Sequence, residues 1–184
     1  MSEYEHLRLK DRIGHRSVPL RVLFVGINPG VRSAREGHHF AGPSNGFWKI
    51  LYDSGLVPER VTYADDGRLP EWGYGITNLV ARPTPGVADL SVSELRAGRT
   101  ALERKVRRHK PQIVAVVGIT VFRALFPASG RVEPGLSGQK IGDAPVWVLP
   151  NPSGRNAHYS YQQMVAAFRA LRRATAPFTV RARP

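Results

Sequence analysis

The stretch Leu20–Gly30, LRVLFVGINPG, frames the reading of the whole chain. Leu20 to Val25 is a short apolar run rich in β-branched and aromatic residues, and it stops at Gly26 ahead of Asn28, Pro29 and Gly30, so it reads as a buried strand that ends in a turn. A second stretch has the same form: Val146 to Leu149 (VWVL) is apolar, and Pro150 then leads into Asn151-Pro152-Ser153-Gly154. Ile113 to Val117 is uninterruptedly apolar, the pattern of a strand covered on both faces.

Outward from these strands the pattern alternates. Ser44 is expected to cap a helix carrying Phe47, Trp48, Leu51 and Tyr52 at helical spacing and ending near Gly55. Tyr74 to Val80 reads as a strand. Ser91 and Glu94 form a capping-box pattern ahead of a helix with Leu95, Leu102 and Val106 on one face, ending near His109. Short helices are expected over Thr120–Phe126 and, with Met164, Phe168 and Leu171 as the buried stripe, over Tyr161–Ala174. Strands alternating with helices indicate a parallel α/β sheet with helices on both faces. Pro58–Pro70 and Pro127–Gly138 read as surface excursions within one domain.

In parallel α/β folds ligands bind beyond the carboxyl ends of strands, so the residues just after each strand matter most. Gly26-Ile27-Asn28-Pro29-Gly30 and Asn151-Pro152-Ser153-Gly154 are two such turns, expected at neighbouring strand ends. In each, Pro restrains the preceding Asn to extended backbone and so presents a preorganised carboxamide. Asn-Pro-Gly and Asn-Pro-Ser are also ordinary turn formers, and either turn alone fits that description. Between them, His38-His39-Phe40-Ala41-Gly42-Pro43 offers an aromatic ring that can stack on a base or pin the loop to the core. The paired histidines lack the further ligands of a metal site, so no metal and no cofactor are expected. Gly135-Leu-Ser-Gly-Gln-Lys140 lacks both the spacing and the Ser or Thr of a phosphate loop.

The 184 residues, 42% hydrophobic, suit one domain with a packed core, placed at about 20–175 ahead of a basic tail, 176–184. A net charge of +13 makes a polyanion the first partner to test, although Arg-rich chains also arise from codon bias and gain solubility from it. No Asp or Glu follows Asp143, whereas Arg155, Arg169, Arg172, Arg173, Arg181 and Arg183 do, a one-sided block resembling a binding face. The absence of cysteine excludes disulfides, Cys-ligated zinc, iron–sulfur clusters and thiol nucleophiles. The amino-terminal residues hold no signal-like apolar run, and a soluble intracellular monomer without membrane association is expected.

Taken together, GINPG (26–30), GHHFAGPSNGFWKIL (37–51), ITNLVARPTPGVADLS (76–91) and LPNPSGRNA (149–157) resemble the mismatch-specific uracil/thymine DNA glycosylases of the uracil-DNA glycosylase superfamily. The resemblance spans about residues 20–175. It implies a three-layer α/β/α fold with a central, mainly parallel sheet of four to five strands. It also implies double-stranded DNA with G:U or G:T mismatches as partner, in the bacterial cytoplasm and nucleoid or in a eukaryotic nucleus. Residue by residue, it makes Asn28 the positioner of the attacking water, with His39 assisting. The amides of Ile27 and Phe40 would contact the pyrimidine, on which the Phe40 ring would stack, with Asn78, Thr84 and Asn151 lining the substrate site. Asn78 resembles the thymine-type branch. Ser153, Gly154, Arg155 and Asn156 would form the loop that enters the duplex. Arg155 stands where bacterial mismatch-type enzymes carry an apolar wedge and is closer to the eukaryotic thymine-type branch.

The chemistry is consistent with such a role. A duplex base must be flipped out before its glycosidic bond can be reached, at a cost of a few kcal/mol that is smaller for a mispair. An Arg fork can occupy the gap and bond the widowed guanine. A carboxamide orients water but cannot deprotonate it, which implies slow hydrolysis reliant on leaving-group stabilisation. No candidate lysine nucleophile is present, so an abasic product without strand cleavage is expected. Two other classes fit the composition: a mismatch-binding module without turnover, and a small enzyme of free nucleosides or nucleotides.

Overall fold

The computed structural model describes residues 4, 6–14, 17–127, 130–154 and 156–175. Five strands, β1 (Val22–Gly26), β2 (Tyr74–Asn78), β3 (Ile113–Val117), β4 (Gly135–Ile141) and β5 (Ala144–Leu149), form one sheet in the order β2-β1-β3-β5-β4. The first four strands in that order run parallel, and β4 closes the edge antiparallel to β5. The apolar runs are continuous because alternate side chains serve different cores. Val22 and Phe24 pack on one face with α2 (Phe47–Asp53) and α5 (Tyr161–Ala174), while Leu23 and Val25 pack on the other with α3 (Val92–His109) and α4 (Ile119–Leu125). The result is the three-layer α/β/α arrangement expected from the alternation.

The Ser91–Glu94 capping box opens α3 as expected, with the Ser91 hydroxyl accepting from the Glu94 amide and the Glu94 carboxylate accepting from the Ser91 amide. At α2 the expected Ser44 cap is replaced: Gly46 is the N-cap residue, and Asn45 Oδ1 accepts from the Phe47 amide at 2.9 Å. A short helix, α1 (Val31–Glu36), follows the first Asn-Pro turn, and a 3₁₀ segment, Tyr63–Trp72, occupies the Pro58–Pro70 excursion. The second excursion ends in β4, whose exposed, Gly-interrupted sequence carries no apolar run. The two Asn-Pro turns follow β1 and β5, which are separated by β3 and are not neighbours. No helix among the described residues is long and apolar enough to cross a membrane.

Candidate active site

Strand register brings the candidate residues to one level. Gly26 pairs with Asn78, Val25 with Val116, and Val117 with Leu149, so all four parallel strands end along one rim. The chain leaves β1 for β2 on one side and later returns to β3 on the other, which makes this rim a topological switch point. A cavity of about 220 Å³ opens there, lined by Ile27, Asn28, His39, Phe40, Asn78 and Asn151 among others. The two Asn-Pro turns therefore meet across the end of β3.

Asn28 is held by its amide nitrogen. Nδ2 donates to Thr84 Oγ1 at 2.7 Å, to the Arg82 carbonyl at 3.2 Å and to the Pro29 carbonyl at 3.3 Å. The Thr84 hydroxyl donates its own proton to the Gly86 carbonyl at 2.6 Å, so toward Asn28 it can only accept. These partners fix the carboxamide with Oδ1 as its remaining acceptor. Thr84 is 3% exposed and stands behind Asn28 instead of on the cavity wall where a base-edge contact would place it. Arg82, which supplies one of those carbonyls, is itself held by a two-pronged ion pair to Glu94 at 2.7 and 3.0 Å. That pair holds the Glu94 carboxyl down at about 2, with the Ser91 amide contributing.

His39 is 2% exposed, and its pKa is lowered primarily by burial, against the opposing pull of the Lys10 carbonyl and Asp66. Nε2 lies 3.0 Å from the Lys10 carbonyl, an acceptor, which assigns the proton to Nε2 and leaves Nδ1 as the basic nitrogen. Asn78 Nδ2 approaches Nδ1 at 3.5 Å. On the other side of Asn78, a Cβ added at Gly26 would lie 2.5 Å from Oδ1, so only glycine there lets Asn78 reach the cavity.

Phe40 has φ +53°, the left-handed region that costs an L-residue about 1–2 kcal/mol. The kink is held from both sides: the His39 amide donates to Asp66 Oδ2 and the Ala41 amide to Ser33 Oγ, each at 3.0 Å. The Phe40 ring stacks on Phe47 with centroids 4.1 Å apart, backed by the core, and also lines the cavity. Neither the Ile27 nor the Phe40 amide has an acceptor among the described residues. The arrangement thus offers an aromatic platform, unpartnered backbone donors and an oriented carboxamide around one small cavity, which suits a planar ring developing negative charge.

The Asn151–Asn156 loop is docked against the residues preceding α2. The Gly46 amide donates to the Pro152 carbonyl at 2.8 Å, and Asn45 and Ser153 form an isolated bridge. Gly154 lies so close to Ser44 that a Cβ would meet the Ser44 Cβ at 2.8 Å. Asn151 Oδ1 accepts from the Ser153 amide, while Asn156 Nδ2 donates to the Asn151 carbonyl at 2.8 Å. Asn151 and Gly154 are exposed. Arg155 lies outside the described residues, as does the tail 176–184.

Asp66 is the site residue that motif reading missed. It is 1% exposed and binds Arg12 Nε at 2.9 Å, His38 Nδ1 at 3.0 Å and the His39 amide at 3.0 Å. It lies in the excursion read as surface; the Thr62-x-x-Asp65 capping box just ahead of it was the available signal of an ordered turn.

With the cavity at the strand ends in place, comparison with known families identifies the chain. The model described as the uracil DNA glycosylase superfamily matches residues 14–172, nearly the whole chain and every element around the cavity; the chain belongs to this superfamily, whose members are DNA glycosylases.

Proposed function

We propose that the protein is a monofunctional DNA glycosylase acting on uracil, and on thymine or modified pyrimidines, mispaired with guanine in duplex DNA. The base is flipped into the cavity and stacked on Phe40. Asn28 Oδ1 orients a water toward the anomeric carbon, with His39 Nδ1 near the base through Asn78. As the glycosidic bond breaks, the Ile27 and Phe40 amides receive the negative charge that develops on the pyrimidine oxygen. Ser153, Gly154 and Asn156 face the duplex, with Arg155 filling the gap left by the flipped nucleotide.

The observation that carries this reading is the engagement of the Asn28 NH2, whose two hydrogens are shared among the Thr84 hydroxyl and the Arg82 and Pro29 carbonyls, which leaves its oxygen as a water acceptor on an amide that does not rotate freely. Asn28 supplies orientation without basicity, so the chemistry is slow and favours bases that flip easily and leave readily. A panel of G·U, G·T, A·U and single-stranded uracil substrates under single-turnover conditions tests it. Abasic product without strand scission, fastest from G·U, is the expected result; no product from any of them contradicts the proposal.

A further inference from the structure

A second concavity lies at the opposite end of the sheet. Strand β2 runs from Tyr74 there to Asn78 at the base cavity. Arg21, Tyr74, Gly55, Arg172, Arg173 and Thr175 line this cavity of about 560 Å³. Arg21 is 8% exposed, and its partners are neutral: the guanidinium donates to Tyr74 Oη and to Thr175 Oγ1, each at 3.1 Å. Its Nε has no partner. No carboxylate pairs with Arg21, Arg172 or Arg173 among the described residues.

The local backbone makes room for these cations. A Cβ at Gly73 would lie 3.0 Å from Arg21 Cδ, and one at Gly55 would lie 2.7 Å from Arg172 Nη1. A buried guanidinium without a counter-ion carries a large desolvation penalty. The carboxyl end of α5 and the Tyr74 ring, 5.3 Å from Arg21 Cζ, offset part of that for one cation. They leave Arg21 Nε without an acceptor, and the exposed Arg172 and Arg173 line the same cavity.

We propose that this concavity is an anion site whose ligand is a phosphate group. A tetrahedral phosphate group presents acceptor oxygens in several directions and can meet more than one guanidinium fork at once, whereas a planar carboxylate presents two oxygens to a single fork. Because the site is at the far end of β2 from the base cavity, this phosphate is not one flanking a flipped nucleotide. It belongs either to a soluble phosphate compound or to a separate nucleic-acid segment.

Calorimetric titration of inorganic phosphate into the full chain, at fixed ionic strength with acetate and chloride as controls, tests the site. Wild type is expected to bind one phosphate saturably, and Arg172→Gln and Arg173→Gln each to weaken it about tenfold or more, as loss of a charge-assisted contact requires. Both side chains are exposed, so the variants keep the wild-type Tm without phosphate. A short duplex lacking uracil separates the sources: displacement of phosphate assigns the ligand to nucleic acid, and simultaneous binding assigns it to a soluble compound, each retaining the anion site. Equal phosphate affinity in wild type and both variants, or heats no different from those of acetate, overturns it.

Discussion

Asn28 and Thr84 act as a unit: the threonine hydroxyl, having given its proton to Gly86, orients the carboxamide that faces the cavity. Thr84→Val keeps the volume and removes the acceptor. It is expected to destabilise the fold by about 1 kcal/mol, the loss of the shortest hydrogen bond of Asn28 with the Arg82 and Pro29 carbonyls still in place, and to slow excision about tenfold or more as the carboxamide loses its fixed orientation. Thr84→Ser should restore both, readable by thermal unfolding and single-turnover kinetics. His39 sets a pH signature. Its pKa lies below 6.5 in the fold because of burial, so below pH 6.5 the unfolded chain takes up a proton that the fold resists. Stability is therefore expected to fall as pH drops from 6.5 toward the lowered value, and His39→Gln should flatten that slope in Tm against pH. Asn28 could be read from the residues alone because it sits in a Pro-stiffened turn after a strand, whereas His39, Phe40 and Asn78 are indicated by the family resemblance; all four line the cavity. Asp66 could not, since only folding of a distant 3₁₀ segment brings it under His39.

At the scale of elements, the loop after β2 is latched to α3 by Arg82 and Glu94, and the Arg82 carbonyl in turn holds Asn28. Glu94→Gln weakens both the latch and the capping box. It is expected to cost about 1 kcal/mol at neutral pH, since the pair is partly solvated. The Glu94 carboxyl is depressed from 4.5 to about 2, so its contribution is fully present above 4.5 and lost as pH falls through about 2. Wild type and variant should accordingly converge in Tm on acidification through that window. Gly26→Ala tests the strand-end geometry: a methyl 2.5 Å from Asn78 Oδ1 must displace Asn78, and excision should fall while the sheet persists by circular dichroism. The parallel strands could be read because burial on both faces makes them continuously apolar. Strand β4 could not, because an exposed edge paired on one side to β5 needs no apolar code. The order β2-β1-β3-β5-β4 also lay beyond local pattern, and with it the fact that β3 separates the two Asn-Pro turns.

For the whole molecule, the net charge of +13 suits a protein of a family that acts on DNA. Of the carboxy-terminal arginines that read as a single block, Arg172 and Arg173 stand at the far end of α5, beside Arg21, away from the cavity at the strand ends, while Arg155, Arg181 and Arg183 lie outside the described residues. Duplex affinity should decline with salt at a log–log slope of about −0.9 for each phosphate neutralised, and a slope near zero would contradict phosphate binding. In the proposed mechanism everything turns on Asn28 positioning the water that releases a flipped base. Single-turnover excision of uracil from a G·U duplex, wild type against Asn28→Ala with duplex binding measured alongside, tests it most directly. Wild type is expected to give abasic product and the variant to lose about 10²-fold or more in rate with duplex affinity retained, as removal of a water-orienting group implies; equal rates in the two proteins would rule out this role for Asn28.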